Sequence, residues 1–328
     1  MKLFKNIAFV LLALAGTQLG FAQSAPKLTA IVQMGTGKPA QIELQRGDGK
    51  GSFFFMKKGT EDLMQAQASR CAMFLIMTPA DMAKALRDYY GGDYAEARAD
   101  FAKLRKKYAE FSGLPGSPGT LAPYYELVCA VRMGDVAGAK KLATDIPGAS
   151  ALNGSEAARV DAARVFAMID DTPESYKAIT EARAKVLKDR GRNVDSEAYG
   201  WMQYAVARAA AATIPAAKDK AKSANAAVDY YCQAAMSMHG SQKVLPADAI
   251  LRAMNLLWEM PGVQDYAATA AKPMDKKAWA KAPCNFCDAV ALAHYYKALY
   301  ADPAAPNALA DQLDAYFCNT LKGVKKEK

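Results

Sequence analysis

Gly92-Asp93-Tyr94-Ala95-Glu96-Ala97 (GDYAEA) returns 42 positions later as Gly134-Asp135-Val136-Ala137-Gly138-Ala139 (GDVAGA). Each string reads as the turn between two helices followed by the opening of the second. Forward from the first string, Tyr94, Ala97, Phe101, Leu104 and Tyr108 recur at spacings of three and four, the apolar stripe of an amphipathic helix. Backward from it, Thr78-Pro79-Ala80-Asp81 opens the preceding helix, because proline suits a first helical turn and cannot continue a sheet interior. A second helix pair is expected from about Leu121 to Ile146. Between the pairs, Phe111 to Gly119 (FSGLPGSPG) reads as an exposed loop. That loop accounts for the excess of the spacing over a repeat of about 34 residues.

Before Pro79 the period is two rather than three to four. Leu28 to Val32, Ile42 and Leu44 alternating with Gln41, Glu43 and Gln45, Phe53 to Met56, and Ala72 to Met77 read as strands. Gly35 to Pro39 and Arg46 to Gly51 supply the turn chemistry between them. The expectation is a β module of four or five short strands, a curled sheet or a partly open barrel.

The first residues carry Lys2 and Lys5, an apolar run from Ile7 to Ala15, and small residues Gly20 and Ala22 at cleavage-site positions. They read as a signal peptide over residues 1–22, with a mature start at Gln23. The run is shorter than the about 20 apolar residues that span a bilayer. A soluble exported chain, periplasmic or secreted, is therefore expected. Its formal net charge is +9. Much of the excess sits in Leu104 to Lys107 and in the Lys322 to Lys328 tail, so there is no basic stripe with interleaved aromatics. Nucleic acid is thereby excluded as the expected partner.

Beyond Gly148, helical periodicity continues without a recoverable repeat: Ala157 to Asp170, Glu174 to Arg190, Ser196 to Ala212, a long pair reaching Met238, Ala247 to Glu259, Asp288 to Tyr300, and Ala308 to Lys322. Asn307 is placed to cap the last of these. Such helices cannot bury an apolar stripe alone, so neighbouring pairs must stack.

Gly92, Tyr94, Ala97 and Phe101, with Gly134 and Ala139 in the second string, resemble the tetratricopeptide repeat (TPR) family, specifically exported bacterial proteins that join a short N-terminal β module to helical repeats. The resemblance covers Pro79 to Ile146, about a fifth of the chain. It implies a mainly α fold, a right-handed solenoid of helix pairs that degenerates toward the C-terminus behind a small sheet or partial barrel. The organisation expected is a β module over 23–78, two TPR-like pairs over 79–147, further helices over 148–322 and a basic tail over 323–328. The resemblance also implies binding of a protein or peptide along a concave face, here in the cell envelope, with no chemistry and no cofactor. The first helices of the two pairs offer the doublets Tyr89-Tyr90 and Tyr124-Tyr125, in which one ring packs between helices and the other is exposed. Tyr90 and Tyr125 are the candidate groove residues, since tyrosine combines large contact area with a polar tip.

Candidate chemistry is sparse. The six cysteines favour one or two disulfides in an oxidising compartment, with Cys284, Cys287 and Cys318 the expected participants. Cys284-Asn285-Phe286-Cys287 at a helix start could instead be a thiol-disulfide centre, because a helix N-terminus stabilises a thiolate. That is the competing functional reading. Zinc held by Cys284, Cys287, His294 and Cys318 is disfavoured by the long gap between Cys287 and His294. His239 reads as a helix-end residue and His294 as a packed helix residue. No HExxH, GxSxG or phosphate-cradling loop is present. The expectation is thus a non-enzymatic binding or scaffold protein.

Overall fold

The computed structural model describes residues 26–56 and 62–317. The expected signal peptide, Cys318 and the basic tail lie outside the described residues. Within them the chain is mainly helical and begins with a five-stranded antiparallel sheet in the order β4-β3-β2-β1-β5. The strands are β1 (Leu28–Met34), β2 (Ala40–Gly47), β3 (Ser52–Met56), β4 (Leu63–Gln67) and β5 (Cys71–Ile76). The sheet is open, with β4 and β5 as opposite edges, and not a barrel. β4 was not expected, because LMQAQ lacks the β-branched and aromatic residues that mark a strand. The alternation in β1 buries Leu28, Ala30 and Val32 on one face. Opposite them in register stand Leu44, Ile42 and Ala40 of β2.

Thirteen helices follow among the described residues. The first four are α1 (Ala80–Gly91), α2 (Tyr94–Lys107), α3 (Pro118–Arg132) and α4 (Val136–Ala143). Then come α5 (Gly154–Phe166), α6 (Ser175–Arg190), α7 (Ser196–Thr213) and α8 (Lys220–Met238). The remainder are α9 (Val244–Trp258), α10 (Val263–Thr269), α11 (Lys276–Trp279), α12 (Cys284–Leu299) and α13 (Ala308–Asp314). The segment ending at Met238, expected as a pair, is one helix of 19 residues. Nothing in the sequence after Asp219, which caps that helix, breaks it. Helix α13 stops at Asp314, short of the expected Lys322.

Side-chain caps fix many of the helix starts. Ser117 accepts from the Thr120 amide, Asp195 from Ala198, Asp219 from Lys222 and Asn307 from Ala310. Asn153 and Glu156 form a reciprocal capping box at α5. Both GD turns end their helices on a left-handed glycine, Gly92 at φ 93° and Gly134 at φ 72°. Through α8, helices pack on those one or two places along the chain, α3 on α1, α2, α4 and α5, and α7 on α5, α6 and α8. Helices α3 and α7 are buried nearly all round. No helix among the described residues is long and apolar enough to cross a membrane.

The segment Phe111 to Gly119, expected as an exposed loop, is instead largely buried, with only Pro115 and Gly116 exposed. Phe111, Leu114 and Ser117 are each 0% exposed, and Ser117 Oγ donates to the Phe111 carbonyl at 2.6 Å. The reason is that this segment joins sheet to helices. A Cβ on Gly47 would lie 2.6 Å from the Glu110 carbonyl, and one on Gly113 would lie 2.4 Å from the Gly49 carbonyl. A Cβ on Gly148 would lie 2.4 Å from the Gly113 amide nitrogen. Backbone therefore meets backbone at three points, where no side chain fits.

Gly113→Ala combines this clash with the strain of its φ of 80°, whereas Gly116 at φ 74° has open space where a Cβ would go. Urea unfolding should show Gly113→Ala less stable than Gly116→Ala by about 1–3 kcal/mol, the usual range for overpacking. Equal stability would mean that the β turn and this segment do not hold each other.

Candidate functional site

The first GD turn does not stand alone on the surface. Tyr90 to Tyr94, at the end of α1 and the start of α2, face His239 to Val244, the turn between α8 and α9. Leu299 and Tyr300, at the end of α12, close the third side. Together they enclose a cleft of about 540 Å³. Segments separated by some 150 and 200 residues thus share one cavity.

Its apolar surface is unusually open. Tyr90 is 74% exposed, Val244 49% and Leu299 42%, and these three stand among only a few large apolar residues exposed outside the β module. His239 caps α8, and its Nδ1 lies 3.0 Å from the Tyr300 hydroxyl and 3.4 Å from that of Tyr295. At the other wall, neither Asp93 before α2 nor Lys243 before α9 caps its helix with its side chain. One carboxylate and one ammonium are thereby left at the cleft, beside aromatic and aliphatic surface. The arrangement suits binding: concave, mostly apolar, with a few polar groups.

The tyrosine doublets divide as the helix period requires. Tyr89 is buried and Tyr90 exposed, while Tyr124 is buried and Tyr125 half-buried. The Tyr125 ring stacks on Phe101 with centroids 5.1 Å apart and meets Tyr89 edge-on at 5.0 Å. Burial pushes the Tyr125 phenol up, and the neighbouring Tyr90 hydroxyl adds to the rise. The structure therefore brings the two candidate groove residues together, with Tyr90 on the cleft and Tyr125 behind it. Ala97 and Phe101 are both 0% exposed beneath them, and Ala139 is likewise buried.

Under the cleft floor lies a polar network that no sequence pattern signals. Arg132 at the end of α3 makes a two-pronged ion pair with Glu197 at the start of α7, Nε to Oε1 and Nη2 to Oε2, each 2.7 Å. The guanidinium lies over the Tyr89 ring at 4.6 Å and the Tyr94 ring at 5.2 Å, and Nη1 donates to the Tyr94 hydroxyl at 3.1 Å. Arg159 of α5 bonds Asp195 at 2.6 Å and approaches Glu197 at 3.4 Å. In the amide orientation that satisfies both its atoms, Gln242 donates to the Arg132 carbonyl at 3.1 Å and accepts from the Trp201 indole at 3.0 Å. Gln242 is thus the link that holds the second wall of the cleft against the first.

A larger cleft of about 920 Å³ runs beside Asp81, Lys84, Lys103 and Lys107. Most of its charges are already matched. The Lys84 ammonium contacts Asp88 at 2.8 Å, Glu96 at 3.0 Å and Asp100 at 2.8 Å, filling the centre of the one three-carboxylate cluster found among the described residues. For that reason the smaller, apolar cleft is the candidate site.

Cys284 is exposed in the first turn of α12, and Cys287, one turn on, is half-buried with Sγ 3.7 Å from the Trp279 carbonyl oxygen. Both are free thiols. Burial raises the Cys287 thiol, and the neighbouring Asp288 and Cys284 raise it further, the opposite of what an activated thiolate needs. Burial also pushes Cys129 up to about 12 and Cys232 up to about 11. The His294 Nδ1 lies 2.8 Å from Asp314, and its ring stacks on Phe317.

Comparison of the chain with family models, with curated proteins and with solved structures gave no match. The site is accordingly argued from its own geometry.

Two outcomes follow for the groups beneath the cleft and in α12. Removing one partner of a buried ion pair strands the other, so Glu197→Ala should lower the unfolding free energy by about 3–5 kcal/mol, whereas Arg132→Met with Glu197→Leu should recover much of the loss. Equilibrium unfolding of both variants measures this, and a double variant no better than the single one would refute it. In timed alkylation of the folded chain at neutral pH, Cys284 should react well before Cys129 and Cys232, read by peptide mass spectrometry.

Proposed function

We propose that this chain is a non-enzymatic, exported binding or scaffold protein that holds a protein or peptide of the cell envelope in the cleft at Tyr90. The helical part is a TPR-like array of stacked pairs, clearest over α1 to α4 and degenerate beyond. Support for the array comes from the two left-handed glycine turns and from helices that pack one or two places along the chain. The observation that carries the binding reading is Tyr90. A tyrosine 74% exposed on the wall of a cleft, with Val244 and Leu299 also exposed there, is surface that folding leaves available.

The competing reading, a thiol-disulfide protein acting through Cys284 and Cys287, has one observation in its favour, the exposure of Cys284 at the start of a 16-residue helix. Against it stand the raised Cys287 thiol and the acidic neighbour Asp288. The binding reading also accounts for more of the chain, since the cleft joins three separate parts of it.

The test is affinity capture from the native envelope with the intact chain, Tyr90→Ala and Tyr125→Ala, with folding checked by circular dichroism. Loss of an exposed aromatic anchor should weaken capture by about tenfold, ~1.4 kcal/mol. Tyr125→Ala should weaken it less, by loosening Tyr89, against which both rings pack. Capture undiminished by Tyr90→Ala would remove the cleft as the binding site.

A further inference from the structure

The segment from Lys272 to Lys281 carries Lys272, Lys276, Lys277 and Lys281 against a single acid, Asp275. All four lysines are exposed, and none forms an ion pair among the described residues. Asp275 neutralises none of them, because its carboxylate caps α11 by accepting from the Ala278 amide at 2.7 Å. The Lys272 ammonium stands over the Tyr316 ring, 4.4 Å from its centroid, which orients the charge without cancelling it.

This segment is held against the end of the described chain. The Met274 amide donates to the Tyr316 carbonyl at 3.2 Å, and Trp279 meets the Phe317 ring edge-on with centroids 6.2 Å apart. Helix α13 runs antiparallel to α12: Lys297 bonds Asp311 at 2.8 Å, while His294, nearer the start of α12, bonds Asp314 and stacks on Phe317. The chain thus passes Phe317 heading toward the start of α12, just before which Lys281 lies. The residues after Phe317 contain Lys322, Lys325, Lys326 and Lys328 against Glu327 alone. The fold therefore sets the root of one lysine group beside the other.

We propose that Lys272, Lys276, Lys277 and Lys281, together with the lysines that follow Phe317, form one surface that docks on an anionic phospholipid membrane. Charge complementarity calls for an anion, and the kind of cation selects a bilayer surface over a single bound phosphate. After Arg252 the chain contains no further arginine. Lysine is a compact hydrated charge without the planar fork that fixes one phosphate in place. Lysines grouped in this way attract many headgroups at once through a diffuse field. No large apolar residue is exposed between Lys272 and Lys281, so the contact stays at the headgroups. It also leaves the cleft free. Helix α12 is 16 residues long, about 24 Å, and Leu299 and Tyr300 line the cleft from its far end. The surface does not depend on what the cleft holds.

Cosedimentation of the full chain with vesicles tests this, using phosphatidylcholine alone and one part phosphatidylglycerol to two parts phosphatidylcholine. The chain should sediment with the anionic vesicles only. Binding should fall as salt rises, because the Debye length shrinks from about 10 Å at 0.1 M to about 3 Å at 1 M. Each lysine near such a surface contributes about fivefold to partitioning. Lys272→Gln, Lys276→Gln, Lys277→Gln and Lys281→Gln combined should therefore weaken binding by about a hundredfold or more, with an unchanged circular dichroism spectrum. Lys322→Gln, Lys325→Gln, Lys326→Gln and Lys328→Gln combined should weaken it comparably, and both sets together should abolish it. Equal binding to the two kinds of vesicle overturns the proposal. So does a variant of the Lys272 to Lys281 set that binds like the parent, since the attraction would then belong to the tail alone. Soluble polyphosphate bound as tightly as anionic vesicles at equal phosphate concentration overturns it as well, because the surface would then hold free phosphate chains and not a bilayer.

Discussion

The two-pronged pair of Arg132 with Glu197 ties the helical part together. It joins the end of α3 to the start of α7, 65 positions apart, in a setting where both side chains are nearly excluded from water. A guanidinium so placed is costly unless its donors and its faces are occupied. Here they are occupied by Glu197, by the Tyr94 hydroxyl and by the rings of Tyr89 and Tyr94. Those partners come from two distant stretches of chain, the first GD turn and the start of the seventh helix. The first GD turn, the third and seventh helices and, through the bond of Gln242 to the Arg132 carbonyl, the turn before the ninth are therefore positioned by one residue. The cleft exists because these turns are held against each other.

The same constraint separates positioning from contact. Arg132, Glu197 and Gln242 lie beneath the cleft and fix its walls, while Tyr90, Val244 and Leu299 present surface to whatever enters. Tyr125 belongs to the first group in spite of its place beside Tyr124 on α3, because its ring is spent on Phe101 and Tyr89. At the other end of the molecule the sheet is joined to the helices by close backbone contact as well as by side chains. Gly47, Gly113 and Gly148 allow main chains to touch where any larger residue would force them apart. Charge and aromatic contact thus hold the one end, and the other depends in part on backbone approaches that only glycine permits.

Much of the secondary structure was legible from local rules. The apolar stripe of Tyr94, Ala97, Phe101 and Leu104, the proline at position 79 and the cap at Asn307 act over one or two turns of helix, so their consequences follow from neighbours in sequence. The departures come from contacts with other elements of the fold. FSGLPGSPG has the composition of a loop, and composition does not say that Phe111 and Leu114 find a sheet to pack against. LMQAQ has weak strand propensity and becomes β4 because β3 offers it a ladder. Of the candidate site, Tyr90 was legible as a tyrosine on the first helix of a pair. His239, Val244, Leu299 and Tyr300 were not, since nothing in their own neighbourhoods marks them as neighbours of Tyr90.

By itself, then, the sequence determined the two periods, two residues before Pro79 and three to four after it, and with them a small sheet followed by helices. It determined the left-handed turns at Gly92 and Gly134, because only glycine enters that conformation without strain. The tertiary structure decided which turns meet. An ion pair between Arg132 and Glu197 depends on the summed geometry of every helix between them, and no short-range pattern encodes that sum. The cleft at Tyr90 and the setting of Lys272 to Lys281 beside the chain end at Phe317 are products of that arrangement, each a place where segments distant in sequence converge.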